Sequence, residues 1–190
     1  MPAAREALLD AAAAALRARP WSAVRMVEVA ASAGVSRQTL YNEFGGKDGL
    51  AGALVRREAE GFLRGAGRVV AEAGESGAGE VERCVRLAEW TAGRMAGRPL
   101  LRALLTGCWS ERLPVPRGRG RSGPGPADAG PPAPGELLGA LRVRLGASAC
   151  AYELAVRLAV SQVIAPAGEG VSDLVRSALG AAGGGLCPGR

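Results

Sequence analysis

Residues 24–47 read VRMVEVAASAGVSRQTLYNEFGGK. Met26, Val29, Ala30 and Ala33 recur at i, i+3, i+4 and i+7, which predicts a helix with one apolar side. Gly34 suits a helix end that needs a positive φ. Val35 is apolar and is expected to plug between two helices. Ser36 stands where an N-cap belongs, its side-chain oxygen able to accept a backbone N–H. A second helix is expected from about Arg37 to Phe44. At about 100° per residue, Leu40 and Phe44 share one face. Gln38, Thr39 and Asn42 lie broadly opposite, with Arg37 and Tyr41 between. Gly45 and Gly46 turn the chain, and Lys47 opens a third helix.

Two short helices joined by a tight turn are the layout that places the second helix in the major groove of DNA. The outward side chains suit that task. Arg can grip guanine, Gln and Asn can grip adenine, and a Thr methyl can meet a thymine methyl. Tyr41 can donate to a phosphate, which fixes register without reading sequence. Lys47 adds a charge to the free N–H groups of a helix start, a combination suited to phosphate. It is the only lysine among 24 basic residues, the rest being arginine. The bland reading, an amphipathic helix pair with a solvated polar face, explains the turn but not every feature falling in register.

Residues 5–24, REALLDAAAAALRARPWSAV, and residues 29–54, VAASAGVSRQTLYNEFGGKDGLAGAL, resemble the start of the tetracycline-repressor (TetR) family of bacterial regulators. The items that carry the likeness are GVS, TLY, Phe44 and Lys47, and it covers about residues 5–55. Beyond Arg57 only length and helical character are similar. The resemblance implies that Arg37, Gln38, Thr39, Tyr41 and Asn42 contact DNA from the recognition helix, and Lys47 a phosphate. Three places depart from the pattern. Pro20 replaces a usual glycine, and Asn42 and Glu43 stand where Tyr or His often precedes the Phe. Val24 replaces a phosphate-touching Thr or Ser, leaving Arg25 or Ser22 available in its stead. The expected DNA-facing set is Arg25, Ser36, Arg37, Gln38, Thr39, Tyr41, Asn42 and Lys47, with the operator sequence left open.

The chain of 190 residues is long enough for a small reader domain and a larger core domain. No run of about 18 uncharged apolar residues occurs, so no membrane span is expected. Arg5, Glu6, Asp10 and Arg17 interrupt the apolar N-terminus, leaving no signal-peptide core and predicting cytoplasmic placement. A net charge of +6 and a pI near 9.9 favour a polyanionic partner. Cysteines 84, 108, 150 and 187 show no CxxC spacing, and histidine is absent, which argues against zinc. Free thiols are expected, three of them buried in helices. Cys108 beside Trp109, or Cys187, would be the candidate for a redox sensor. Without histidine, a G-x-S-x-G elbow or a phosphate-binding glycine loop, no enzyme and no cofactor are expected.

The expected fold is all-α. An N-terminal three-helix helix-turn-helix domain (1–47) precedes a C-terminal helical bundle for ligand binding and dimerisation (48–190). Asp48 to about Gly65 reads as a long helix with Leu50, Ala51, Leu54, Val55 and Phe62 inward. Residues 74–79, GESGAG, are a break between helices. Further helices are expected over Glu80–Gly97, from Pro99, over Glu136–Gly146, over Ala149–Ile164 with Ser148 as cap, and from about Ser172. Residues 114–135, PVPRGRGRSGPGPADAGPPAPG, form a flexible Pro/Gly/Arg loop. The helix at 149–164 is apolar nearly all round and must be buried on most sides. With the last helix it resembles the family's four-helix dimer interface, although simple intrachain packing would also bury it. A homodimer would read the two halves of a palindrome in double-stranded DNA.

Leu87, Trp90, Met95, Leu101, Leu104, Leu105, Trp109, Leu138, Leu141 and Tyr152 are candidates to line a pocket for an apolar or aromatic effector. Each of them also reads as ordinary core. The family likeness implies a ligand-responsive repressor. The alternative is a helical interaction protein whose helix-turn-helix no longer reads DNA.

Overall fold

The computed structural model describes residues 2–115, 131–166 and 168–181. Among them are nine α-helices and no strand: α1 (Pro2–Ala18), α2 (Met26–Ser32), α3 (Arg37–Phe44), α4 (Lys47–Glu75), α5 (Glu80–Ala96), α6 (Pro99–Thr106), α7 (Pro134–Leu145), α8 (Ala149–Ile164) and α9 (Val171–Ala181). The fold is all-α, as the periodicity predicts. Short 3-10 turns occupy Trp21–Ala23 and Gly146–Ser148. No helix among the described residues is long and apolar enough to cross a membrane.

The chain forms two compact units. The first comprises Met1–Glu58 together with Cys108–Pro132. Its core gathers Leu8, Leu9 and Ala12 of α1, Val29 and Ala30 of α2, Leu40 and Phe44 of α3, and Leu50 and Leu54 of α4. Full burial of side chains such as Leu8, Leu40 and Leu50 stabilises the unit by roughly 1.5–3 kcal/mol each. Arginines fasten its rim. Arg57 of α4 donates to Asp10 Oδ1 at 2.7 Å and to the Leu9 carbonyl at 3.0 Å. Arg19 pairs with Glu28.

The second unit comprises Ala59–Gly107 and Ala133–Arg190. Its central helix, α5, packs against α6, α8 and α9 through Cys84, Val85, Leu87, Ala88, Thr91 and Met95. Arg176 of α9 donates to Glu82 Oε2 at 3.0 Å. Tyr152, Ala155, Val156 and Ala159 are the buried positions of α8.

Three details differ from expectation. Helix α4 runs to Glu75, ten residues beyond Gly65, because its apolar stripe continues through the buried Ala66 and Ala73. Ser148 occupies the N-cap position of α8 but makes no capping hydrogen bond, because a 3-10 turn leads straight into the helix. Helix α8 is not wrapped on most sides, since Leu154, Leu158 and Val160 are only half-buried and Ile164 is 52% exposed. Of the expected loop at 114–135, residues 114–115 and 131–133 are non-helical and α7 begins at Pro134. Its RGRGR run lies outside the described residues.

Candidate nucleic-acid interface

The turn between α2 and α3 is built as its residues require. Gly34 takes φ +68, and the Val35 N–H reaches back to Ala30 O at 3.1 Å, closing the end of α2. Ser36 caps α3, its Oγ accepting from Thr39 N at 3.0 Å. The same oxygen lies 2.9 Å from Thr39 Oγ1, so the two hydroxyls share a hydrogen bond. Gly45 ends α3 at φ +68, its N–H bonded to Tyr41 O at 2.8 Å. Because Leu40 and Phe44 are buried, the opposite side of α3 must face out.

That outer side carries Arg37, Gln38, Tyr41 and Asn42, all exposed, with Thr39 half-buried. Gln38 Nε2 donates to Asn42 Oδ1 at 2.8 Å, one helical turn away. This bond aligns the two amides and leaves Gln38 Oε1 as an acceptor beside the Asn42 amide donors. Arg37 makes no ion pair among the described residues. The acidic residue of α3, Glu43, is drawn toward Arg5 of α1 at 3.4 Å, and the Arg5 guanidinium also covers the Phe44 ring. The carboxylate is thereby balanced by a cation on the same unit.

Lys47, first residue of α4, is half-buried. Its Nζ donates to Ser22 O at 3.1 Å and lies 5.5 Å from the centre of the Trp21 ring. Desolvation lowers its pKa from the usual lysine value, opposed in part by the Asp48 carboxylate. Arg25 is exposed at the start of α2 and caps nothing with its side chain. Val24 is 2% exposed. The two departures near this turn thus have structural roles: Val24 is core, and Pro20, at φ −63, leads into the Trp21–Ala23 turn.

The sequence gives no warning of Gly49. A Cβ there would lie 1.8 Å from the Phe44 carbonyl oxygen, so only glycine lets α4 start this close to the end of α3.

The expected pocket residues are scattered. Leu87, Met95, Leu101, Leu104, Leu105, Leu138, Leu141 and Tyr152 are buried in the second unit. Trp90 stacks on Phe62 at 5.6 Å, its six-membered ring edge against Gly65, and Arg94 covers the ring at 5.2 Å. Trp109 belongs to the first unit and is half-buried there. The Thr91 hydroxyl is buried on α5 without a hydrogen-bond partner among the described residues. Burial raises the Tyr152 phenol's pKa, and a hydrogen bond from Arg83 only partly offsets this. A separate open groove of about 710 Å³ is walled by Gly67, Val70, Ala71, Gly74 and Glu75 of α4, Arg83 of α5, and Arg144 and Leu145 of α7. None of these eight was expected as lining; charged side chains on amphipathic helices read as solvated faces.

Of the cysteines, Cys84 is buried, Cys150 half-buried and Cys108 exposed just past α6; Cys187 lies outside the described residues. The expectation of three buried helical thiols therefore fails at Cys108, because α6 ends at Thr106 and Gly107 turns the chain outward. Burial, then the Glu80 charge, pushes the Cys84 thiol up to about 12, which keeps it protonated and unreactive.

Residues 8–54 match the model of bacterial regulatory proteins of the tetR family. Over 56 residues the chain is 48% identical to the HTH-type transcriptional regulator AlkX of Mycobacterium tuberculosis, an alignment spanning 30% of this chain and 26% of that protein. The chain thus matches about a quarter of that relative's length. The crystal structure of the TetR family repressor AlkX from Dietzia sp. strain DQ12-45-1b, implicated in biodegradation of n-alkanes, superimposes with a TM-score of 0.54. That likeness covers 93% of this chain and 94% of the other at 21% identity, and it concerns the fold. Residues 8–54 are therefore similar to the helix-turn-helix segment of the tetR family of bacterial regulatory proteins.

Proposed function

We propose that the protein binds double-stranded DNA as a homodimer and represses transcription, each copy laying α3 in the major groove. One observation carries the reading: α3 buries Leu40 and Phe44 and turns Arg37, Gln38, Tyr41 and Asn42 outward beside Lys47. Arg37 and the Gln38–Asn42 amide pair face base edges, while Tyr41, Ser36, Arg25 and Lys47 meet phosphates. One short helix touches few bases, so a two-fold pair of heads supplies the specificity a genome demands. The half-buried Leu154 and Leu158 of α8 and Leu174 of α9 support pairing through these helices.

The second unit is read as the sensor. Its interior is apolar, which favours an apolar or aromatic effector, and one hydrogen-bonding group on that effector would satisfy the Thr91 hydroxyl. Binding there lowers DNA affinity by favouring an arrangement in which both heads no longer dock together. The protein acts by binding, not catalysis; a chain without histidine lacks the commonest general base. The interaction-protein alternative drew on Pro20 and Val24, and both have structural roles.

Nuclease footprinting on the DNA flanking the protein's own coding sequence tests the reading. A protected two-fold-symmetric site is expected. Complete absence of protection at low salt, with folded protein, would refute it.

A further inference from the structure

The first unit is completed by chain from far along the sequence. Residues 108–115 group with residues 1–58 and not with α6, which precedes them. The polypeptide therefore enters the DNA-reading unit a second time, from α6. The described part of this segment, residues 108–115, turns twice: Leu113 N donates to Ser110 O and Val115 N to Leu113 O, both at 3.0 Å. Within the first of these turns the Arg112 carbonyl accepts from Trp21 N at 2.8 Å. Pro114 is buried, and Trp109 and Leu113 are half-buried.

The contact falls on a consequential place. Trp21 opens the 3-10 turn between α1 and α2, where a backbone N–H has no partner within its own element. The Arg112 carbonyl supplies one. The Trp21 indole, only 7% exposed, is the ring over which Lys47 Nζ sits, and the next carbonyl, Ser22 O, takes a hydrogen bond from that ammonium. A lysine has four rotatable bonds, and pinning its tip before DNA arrives removes most of the entropy lost on phosphate contact. Whatever holds the turn also holds the cation.

We propose that residues 108–115 are a strap that positions Lys47 for its DNA phosphate by holding the Trp21–Ala23 turn. The phosphate contact then depends on a segment continuous with α6 and α7, a route to the reader that does not pass along α4. This inference rests on the DNA-binding reading above.

A double-mutant cycle on the full chain tests it. The strap variant carries Leu113→Gly and Pro114→Gly, the reader variant carries Lys47→Ala, and a third carries all three changes. The probe is the duplex that the wild-type protein selects from a random-sequence library. The strap variant should bind that duplex roughly fivefold to tenfold more weakly, the scale of one ordinary net hydrogen bond. Its dependence of log affinity on log salt should be shallower by about one phosphate contact per head, as for Lys47→Ala. The triple variant should bind no more weakly than Lys47→Ala alone. Amide exchange at Trp21 and Ser22 should quicken in the strap variant and not in Lys47→Ala. Unchanged affinity in the strap variant, or additive losses, would overturn the strap while leaving DNA binding intact. Failure of the wild type to select any duplex would overturn both readings. If the glycine pair unfolds the reader, Pro114→Ala replaces it in the same cycle, with Trp21 exchange deciding whether the strap has loosened.

Discussion

Gly49→Ala is the most demanding test of how the reader is put together. A Cβ at that position would lie 1.8 Å from the Phe44 carbonyl oxygen and 2.9 Å from its carbon. An ordinary contact needs about 3.5 Å, so α4 and the end of α3 must separate by about 1.7 Å. The obstacle is backbone, and no rotamer change relieves it. Phe44 is only 8% exposed and Gly45 is fixed in the left-handed region, so the displaced element is α3 itself. Overpacking of this kind costs about 1–3 kcal/mol, and a backbone clash belongs at the upper end. Alanine returns at most about 1 kcal/mol of helix propensity. The net loss is about 2 kcal/mol, a factor of roughly 30 in the opening equilibrium. Native-state hydrogen exchange of peptides covering residues 36–55 measures it directly, since it isolates one unit of a two-unit protein. Exchange there should quicken by about that factor, and DNA affinity should fall with it. Gly46→Ala is the control, because nothing lies within 4 Å of a Cβ there. Equal exchange in the two variants would refute the reasoning.

Other expectations follow from single contacts. Lys47 gives a pH signature: the proposed phosphate contact needs its ammonium, and burial lowers its pKa below the usual lysine value. DNA affinity should be full below that lowered pKa and fall as pH rises through it, measured by fluorescence anisotropy in a Tyr41→Phe background; Lys47→Arg should abolish the fall. The folded pKa lies below the unfolded one, so the reader gains stability over the same window, and unfolding does not explain the loss. Ser36→Ala removes the cap on α3 and should cost about 1 kcal/mol in the same exchange experiment. Gly65→Ala places a Cβ 2.4 Å from the Trp90 ring, so the Phe62 stack must yield; a changed indole emission and a lower urea midpoint are expected. Gly93→Ala, with nothing within 4 Å, should instead stabilise α5 by up to about 1 kcal/mol.

The reader was legible because its determinants are local. Gly34, Ser36, Leu40, Phe44 and Gly45 act within one or two turns of themselves, so spacing alone reveals the turn, the cap and the buried face. The Gln38–Asn42 bond belongs to the same class. The Trp21–Arg112 bond does not, for its partners are brought together only by tertiary structure and neither side-chain identity signals it. Apolar helices of the second unit expose a different limit. A core and an empty pocket draw on the same residues at the same spacing. Trp90 reads as lining, yet its ring is taken up by Phe62, Gly65 and Arg94. Trp109 reads as part of the same cluster and belongs to the other unit.

The glycines show why a composition rich in them resists reading. Gly34 and Gly45 are needed for a backbone angle, and the helix ends around them announce it. Gly49 and Gly65 are needed for what stands opposite, a carbonyl in one case and an indole in the other. Gly61, in the same helix as these last two, meets only the tip of Arg94 at 3.9 Å and could carry a side chain. In sequence the three residues of α4 are alike, each an interruption that weakens the helical pattern. Helix α4 accordingly reads as ending near Gly65, although its apolar stripe continues to Ala73. Propensity counts a glycine's cost in the helix it occupies, whereas the close approach it permits is a property of a second element. A single sequence records the first and not the second, so the boundary of α4 and the fit of its start against α3 emerge only with the fold.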